Sequence, residues 1–96
     1  MQSPTGMSGA ETVATIRVNV LLFAQLRDGF RTDELAASLP RGATGAELLR
    51  WLSQRNPNVK DLLGVSRLAV NCEYVPLEQV LHDADEVVVI PPVSGG

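Results

Sequence analysis

The residues best placed to do chemistry stand at the end of the sequence, which closes Ile90-Pro91-Pro92-Val93-Ser94-Gly95-Gly96. A carboxylate on Gly96, behind Gly95, sits on backbone without Cβ atoms and can enter a channel too narrow for a side chain. Pro91 and Pro92 lack an N–H, so they cannot extend a central ladder. They hold the chain in an extended, polyproline-like lead instead. Six extended residues reach at most about 20 Å. Residues 91–96 are therefore expected to form a flexible tail whose terminal carboxylate could enter a narrow channel on another protein. Simple fraying of terminal glycines is the plainer reading, and the apolar run and diproline in front of them weigh against it.

The other candidate groups are sparse. Cys72 is the single cysteine, which allows no internal disulfide. Its neighbour is Glu73, which lends no support to a reactive thiolate, so a structural role is expected. His82 is the single histidine, and one histidine without a second ligand makes no metal site. Asp83, Asp85 and Glu86 read as a solvated turn that could also steer a basic partner. Nothing outside the tail forms a catalytic constellation.

The 96 residues fit one domain large enough for its own core. With a net charge of −3 there is no basic footprint for nucleic acid, and a basic protein partner fits better. No apolar run reaches transmembrane length. Met1 to Gly6 lacks the basic and apolar regions of a signal peptide, which makes the cytoplasm the default location. Lys60 is the only lysine, which weighs against a branching polymeric tag.

These candidates need elements to hold them. Residues 1–14 are rich in Ser, Gly, Thr and Ala without a hydrophobic period, and are expected to be a disordered leader to a domain spanning 15–96. Thr15 to Ala24 predicts a strand. Ile16, Val18, Val20 and Leu22 make one face, and Arg17, Asn19, Leu21 and Phe23 the other, running into the interior at its end. Ala24 to Asp28 predicts a single helical turn stopped at Gly29. Thr32 to Leu39 predicts a second strand, antiparallel to the first, before a turn at Pro40-Arg41-Gly42-Ala43.

Thr44 to Asn56 predicts the main helix. Thr44 and Glu47 supply a capping box, and Leu48, Leu49 and Leu52 the apolar stripe. Pro57 disfavours helical geometry before it. A short turn over Val59 to Gly64, strands at Leu68–Cys72 and Tyr74–Val75, and a loop dropping Leu77 and Leu81 inward follow. Val87 to Ile90 reads as a strand buried on both faces. The order suggests an α+β domain with the helix across one sheet face. A central last strand parallel to the first would make it a β-grasp, ubiquitin-like arrangement.

Three segments resemble the small, sulfur-carrying subunit family of molybdopterin synthase. They are Leu22-Phe23-Ala24-Gln25-Leu26-Arg27-Asp28, Val70-Asn71-Cys72-Glu73-Tyr74-Val75, and Asp83 through Gly96 with its ending Pro-Pro-Val-Ser-Gly-Gly. The resemblance spans about Ile16 to Gly96. It implies a β-grasp sulfur carrier whose Gly96 carboxylate is adenylated and then converted to a thiocarboxylate by an ATP-dependent activating enzyme. The tail, Val93, Ser94, Gly95 and Gly96, would then thread into the large synthase subunit, which supplies the catalytic groups. Its sulfur would go to cyclic pyranopterin monophosphate. The resemblance also implies a partner interface at Phe23, Arg27, Ile90, Pro91 and Pro92. No bound cofactor or metal is implied; ATP belongs to the activating enzyme. From its own pattern Phe23 reads as core, and Arg27 equally as a plain surface charge or a partner contact.

The residues suit this chemistry. A carboxylate is a poor acyl donor and its adenylate a good one, while a thiocarboxylate is a soft nucleophile, much as a thiolate is. Two positions depart from the family pattern. Cys72 stands where Gly is frequent, and Ala84 interrupts the usual Asp-Gly-Asp. If either site needs positive φ, the side chain costs roughly 1 kcal/mol relative to Gly. The same tail chemistry could instead serve thiamine thiazole or cysteine synthesis, or a ubiquitin-like protein modifier.

Overall fold

The computed structural model describes residues 15–92. The expected leader at 1–14 and the tail tip at 93–96 lie outside the described residues.

Strand β1 is Thr15–Leu22, helix α1 Ala24–Phe30, strand β2 Glu34–Pro40 and helix α2 Gly45–Arg55. A 3-10 turn at Pro57–Val59 leads into α3, Lys60–Gly64. Strands β3, Arg67–Val70, β4, Glu73–Val75, and β5, Glu86–Ile90, complete the chain. One five-stranded sheet has the order β2-β1-β5-β3-β4. The central pair, β1 and β5, is parallel, with Val20 opposite Val87 and Leu22 opposite Val89. The other pairings are antiparallel. A parallel pair requires a long crossover between its strands, and here that crossover carries the helices.

The period-two pattern of β1 buries Ile16, Val18, Val20 and Leu22 on one face. Val87 and Val89 of β5 and Leu68 and Val70 of β3 join the same core by register. Leu48, Leu49 and Leu52 of α2 lie in that core, with Leu63 and Leu81. The α2 N-terminus is capped from two sides. The Glu47 N–H donates to Thr44 Oγ1 at 3.4 Å, and the Thr44 N–H donates to Glu47 Oε1 at 2.9 Å. The Gly45 and Ala46 N–H groups donate to the carbonyls of Gln79 and Leu77 at 3.0 and 2.9 Å. The first-turn donors of a helix have no partner within it; here the 77–79 loop supplies two acceptors.

Three expectations need correction. The strand Val87–Ile90 is central but is not buried on both faces: Val87 and Val89 are fully buried, whereas Val88 and Ile90 are only half-buried. The helices cover one side of the sheet, and an unalternating apolar run carries no mark of that. Helix α1 does not stop at Gly29. It runs through Phe30 and ends at Arg31 in the left-handed conformation, φ 58°, whose N–H donates to the Arg27 carbonyl. Gly29 serves close approach instead. A Cβ there would lie 2.8 Å from Val59 Cγ1, and its carbonyl accepts a hydrogen bond from Asn56 Nδ2 at 2.7 Å. Finally, Leu21 and Phe23 do not run into the interior; Leu21 stays half-buried and Phe23 is 50% exposed.

Candidate functional site

Strand β5 delivers the root of the tail. Its ladder ends where Ile90 pairs with Arg67, at the last position before the prolines. Neither Pro91 nor Pro92 can donate to a further rung, so the backbone leaves the sheet there. Pro91 is buried and Pro92 exposed. Strand β1 ends beside this exit, since Leu22 is the partner of Val89. Phe23 follows in extended conformation, and its carbonyl accepts the Leu26 and Arg27 N–H groups at 3.1 and 3.4 Å. Fully buried Leu26 anchors α1 behind it.

The result is an open groove of about 490 Å³ lined by Phe23, Ala24, Gln25, Asp28, Ile90, Pro91 and Pro92. Four of the five residues expected at a partner interface, Phe23, Ile90, Pro91 and Pro92, therefore meet in one place. The core reading of Phe23 is overturned. Arg27 is exposed on α1 but is not part of the groove lining, where Gln25 and Asp28 stand instead. The tail-threading residues Val93, Ser94 and Gly95 and the reacting Gly96 lie outside the described residues.

An apolar row crosses the sheet face turned away from the helices. Register places Leu21, Val88, Ala69 and Tyr74 side by side across four strands. Tyr74 is 67% exposed. Leu21 and Val88 are half-buried and Ala69 is buried, so Tyr74 is the open side chain of this row. Sequence reasoning missed Leu21, Val88, Ala69 and Tyr74 as site residues. A signal was present, because the outward set of β1 turns apolar at its end.

The acidic turn before β5 is solvated, with Asp83 exposed and Asp85 and Glu86 half-buried, and it also holds structure. Asp83 Oδ1 accepts the Arg17 N–H at 2.8 Å, and Asp85 Oδ2 accepts the His82 N–H at 2.8 Å. Asp85 Oδ1 also accepts from Asn71 Nδ2 at 3.0 Å, while Asn71 Oδ1 accepts the Glu86 N–H at 3.1 Å. This clip ties the β3–β4 hairpin to the start of β5. Cys72, exposed in that hairpin turn, has φ 76°, and Ala84 has φ 70°. Both positions thus take the left-handed conformation that favours Gly. Among the described residues no three His, Cys, Asp or Glu side chains are grouped to hold a metal. No helix among them is long and apolar enough to cross a membrane.

A mixed sheet with a parallel central pair, a long helix on one face and an apolar open face defines a β-grasp domain of the ubiquitin-like kind. Solved structures bear this out. The chain resembles molybdopterin converting factor subunit 1 from Pyrococcus furiosus, with TM-score 0.72 and 32% identity over 81% of this chain and 99% of that one. It also resembles a chain of the complex of subunits 1 and 2 of molybdopterin-converting factor from Helicobacter pylori, with TM-score 0.55 and 27% identity over 84% and 100%. The molybdopterin synthase sulfur carrier subunit of Dictyostelium discoideum is 39% identical over 80 residues, 80% of this chain and 93% of that protein. The profile of the ThiS family matches residues 20–96. The chain belongs to the ThiS family.

Proposed function

We propose that this protein is a sulfur carrier in molybdenum cofactor biosynthesis and works as the small subunit of molybdopterin synthase. The observation that carries the proposal is the position of the tail root. Ile90, Pro91 and Pro92 leave a rigid central strand beside exposed Phe23, on the rim of an apolar face. Relatives named for this role, and a similar structure of a two-subunit complex, support it. The large subunit is the partner expected on that face, with the tail entering its active site.

The chemistry proceeds in three steps. The Gly96 carboxylate attacks ATP, held by the activating enzyme, to give an acyl adenylate and release pyrophosphate. A sulfur donor displaces AMP and leaves a thiocarboxylate. That sulfur then passes to cyclic pyranopterin monophosphate, and the acyl carbon takes up oxygen from water to regenerate the carboxylate. Two carriers supply the two dithiolene sulfurs. The carrier itself binds no cofactor in this scheme and operates in the cytoplasm. Its part is to present one reacting carbon on unbranched backbone in the right place, because a misplacement of about 1 Å costs on the order of a hundredfold in rate.

Intact-mass analysis of the protein from its native host, in a chain ending at Gly96, tests the reading. A mass gain corresponding to replacement of one oxygen by sulfur is expected, together with molybdopterin formation when the large subunit and precursor are added. Recovery only as the free acid from cells actively making the cofactor would refute it, and isopeptide conjugates would favour a protein modifier.

A further inference from the structure

The two edges of the sheet differ. Strand β4 is three residues long and runs into Pro76, which blunts it. Strand β2, the other edge, is seven residues long and carries no lysine, proline or charge between Leu35 and Leu39. The direction of its backbone groups follows from β1. The Leu22 N–H donates to the Asp33 carbonyl at 2.9 Å, whereas the Asn19 N–H points the other way, to the Asp85 carbonyl before β5, at 2.8 Å. Alternate residues of a strand turn their backbone groups to opposite sides. Ile16, Val18 and Val20 therefore turn theirs to β2, where Leu39, Ala37 and Leu35 stand opposite. The N–H and C=O groups of Ala36 and Ser38 are directed away from the sheet. Both residues are exposed, and no strand among the described residues pairs with this edge.

We infer that the β2 edge is the docking site for the same edge of a second copy of this chain, in a two-fold antiparallel pair centred on Ala37. Register selects this alignment. Pairing Ala36 with Ser38 of the second copy, and Ser38 with its Ala36, uses every outward N–H and C=O of the four residues. A shift of two residues one way puts Pro40 opposite Ala36, where it has no N–H to give. A shift the other way puts Glu34 opposite Ser38, and the Glu34 N–H already donates to Thr32 Oγ1 at 3.3 Å. The centred register also sets Asp33 opposite Arg41 of the second copy, twice over by symmetry. Both side chains are exposed, and among the described residues neither is in an ion pair. Opposite charges facing across the seam favour this alignment over its neighbours. Half-buried Leu35 comes opposite Leu39 of the second copy on the helix side. Such a self-complementary patch makes an isologous dimer. The ladder is short, so the dimer is transient. Strand β5 lies two strands in from the edge, so both tail roots stay free in the pair.

The test is sedimentation and 15N–1H NMR of the full chain at concentrations up to about 1 mM. A monomer–dimer equilibrium is expected, with the Ala36 and Ser38 amides shifting and gaining protection from exchange as concentration rises. Asp33→Arg and Arg41→Asp should each weaken it about 2- to 30-fold, since two exposed ion pairs are lost together. Combining the two exchanges the charges and should restore association. Ser38→Pro removes an outward N–H from each copy and should weaken association at least about fivefold. Its melting curve checks that the chain still folds, as proline on the solvent side of an edge strand allows. A chain that stays monomeric throughout the range overturns the inference. So does a dimer indifferent to the charge variants, a double variant as weak as the single ones, or shifts that fall on Tyr74 and Val88 in place of the β2 edge. None of these results bears on sulfur transfer from the tail, which is read separately.

Discussion

Replacing Cys72 and Ala84 by glycine should stabilise the protein without touching the proposed sulfur chemistry. Both residues hold positive φ, 76° and 70°, where an L side chain crowds its own backbone. Cys72 is the second residue of a two-residue hairpin turn whose first, Asn71, has φ 49°. Positive φ at both central positions is the type I′ pattern that favours Asn-Gly. Ala84 sits in the turn closed by the Asp85 N–H on the His82 carbonyl at 3.1 Å, with its own N–H on the Arg17 carbonyl at 2.8 Å. Both side chains are exposed, so glycine forfeits no packing. Relief of strain, about 1–2 kcal/mol, competes with the extra freedom glycine gains in the unfolded chain, about 0.4–1 kcal/mol. The net expectation is a gain of about 1 kcal/mol at each site, or about 4–8 °C in melting temperature per site for a domain of this size. The two turns are joined through Asn71 and Asp85, so the double variant should depart somewhat from additivity. Thermal melts and urea titrations of the two single variants and the double variant give the result. A loss of stability in either single variant would refute the strain argument at that turn. Cys72→Gly also removes the only thiol, and thiocarboxylate formation should survive it; loss of that activity in the folded variant would place sulfur away from Gly96.

Two further outcomes follow from close approach and from the tail. Gly45→Ala should destabilise by about 1–3 kcal/mol, read by urea titration, because the new Cβ would clash with Leu68 Cδ1 and lie 3.3 Å from the Leu77 carbonyl oxygen. Leu68 is fully buried and has no room to retreat, so wild-type stability would show that α2 can shift outward freely. Gly95→Val, deletion of Gly96, or an alanine added after it should leave the melting curve within about 0.5 kcal/mol of wild type but sharply reduce thiocarboxylate formation and transfer. Normal turnover in all three would return the tail to simple fraying.

Much of the fold is legible in residue order alone. Strand β1 announces itself by alternation, because one of its faces meets the core and the other does not. Helix α2 does so through Thr44, Glu47 and the Leu48–Leu52 stripe, since a cap and a period of 3.6 are local properties. The expectation of a tail rests on covalent structure too, since Pro-Pro fixes φ and removes donors while Gly-Gly frees the backbone. Tertiary structure decided what depends on the other side of a contact. Val87 to Ile90 is apolar throughout, so only the placement of the helices could show that Val88 and Ile90 face outward. Tyr74, Ala69, Val88 and Leu21 become one surface through register between strands distant in sequence. Gly29 reads locally as a helix stop, yet the left-handed residue is Arg31 and the glycine makes room for Val59. Phe23 reads as core from its own pattern, yet it stands half out of the protein beside the prolines, next to the left-handed turn at Ala24. A residue's type limits which conformations are cheap, but which costly conformation a chain accepts is set by the anchors on either side of it.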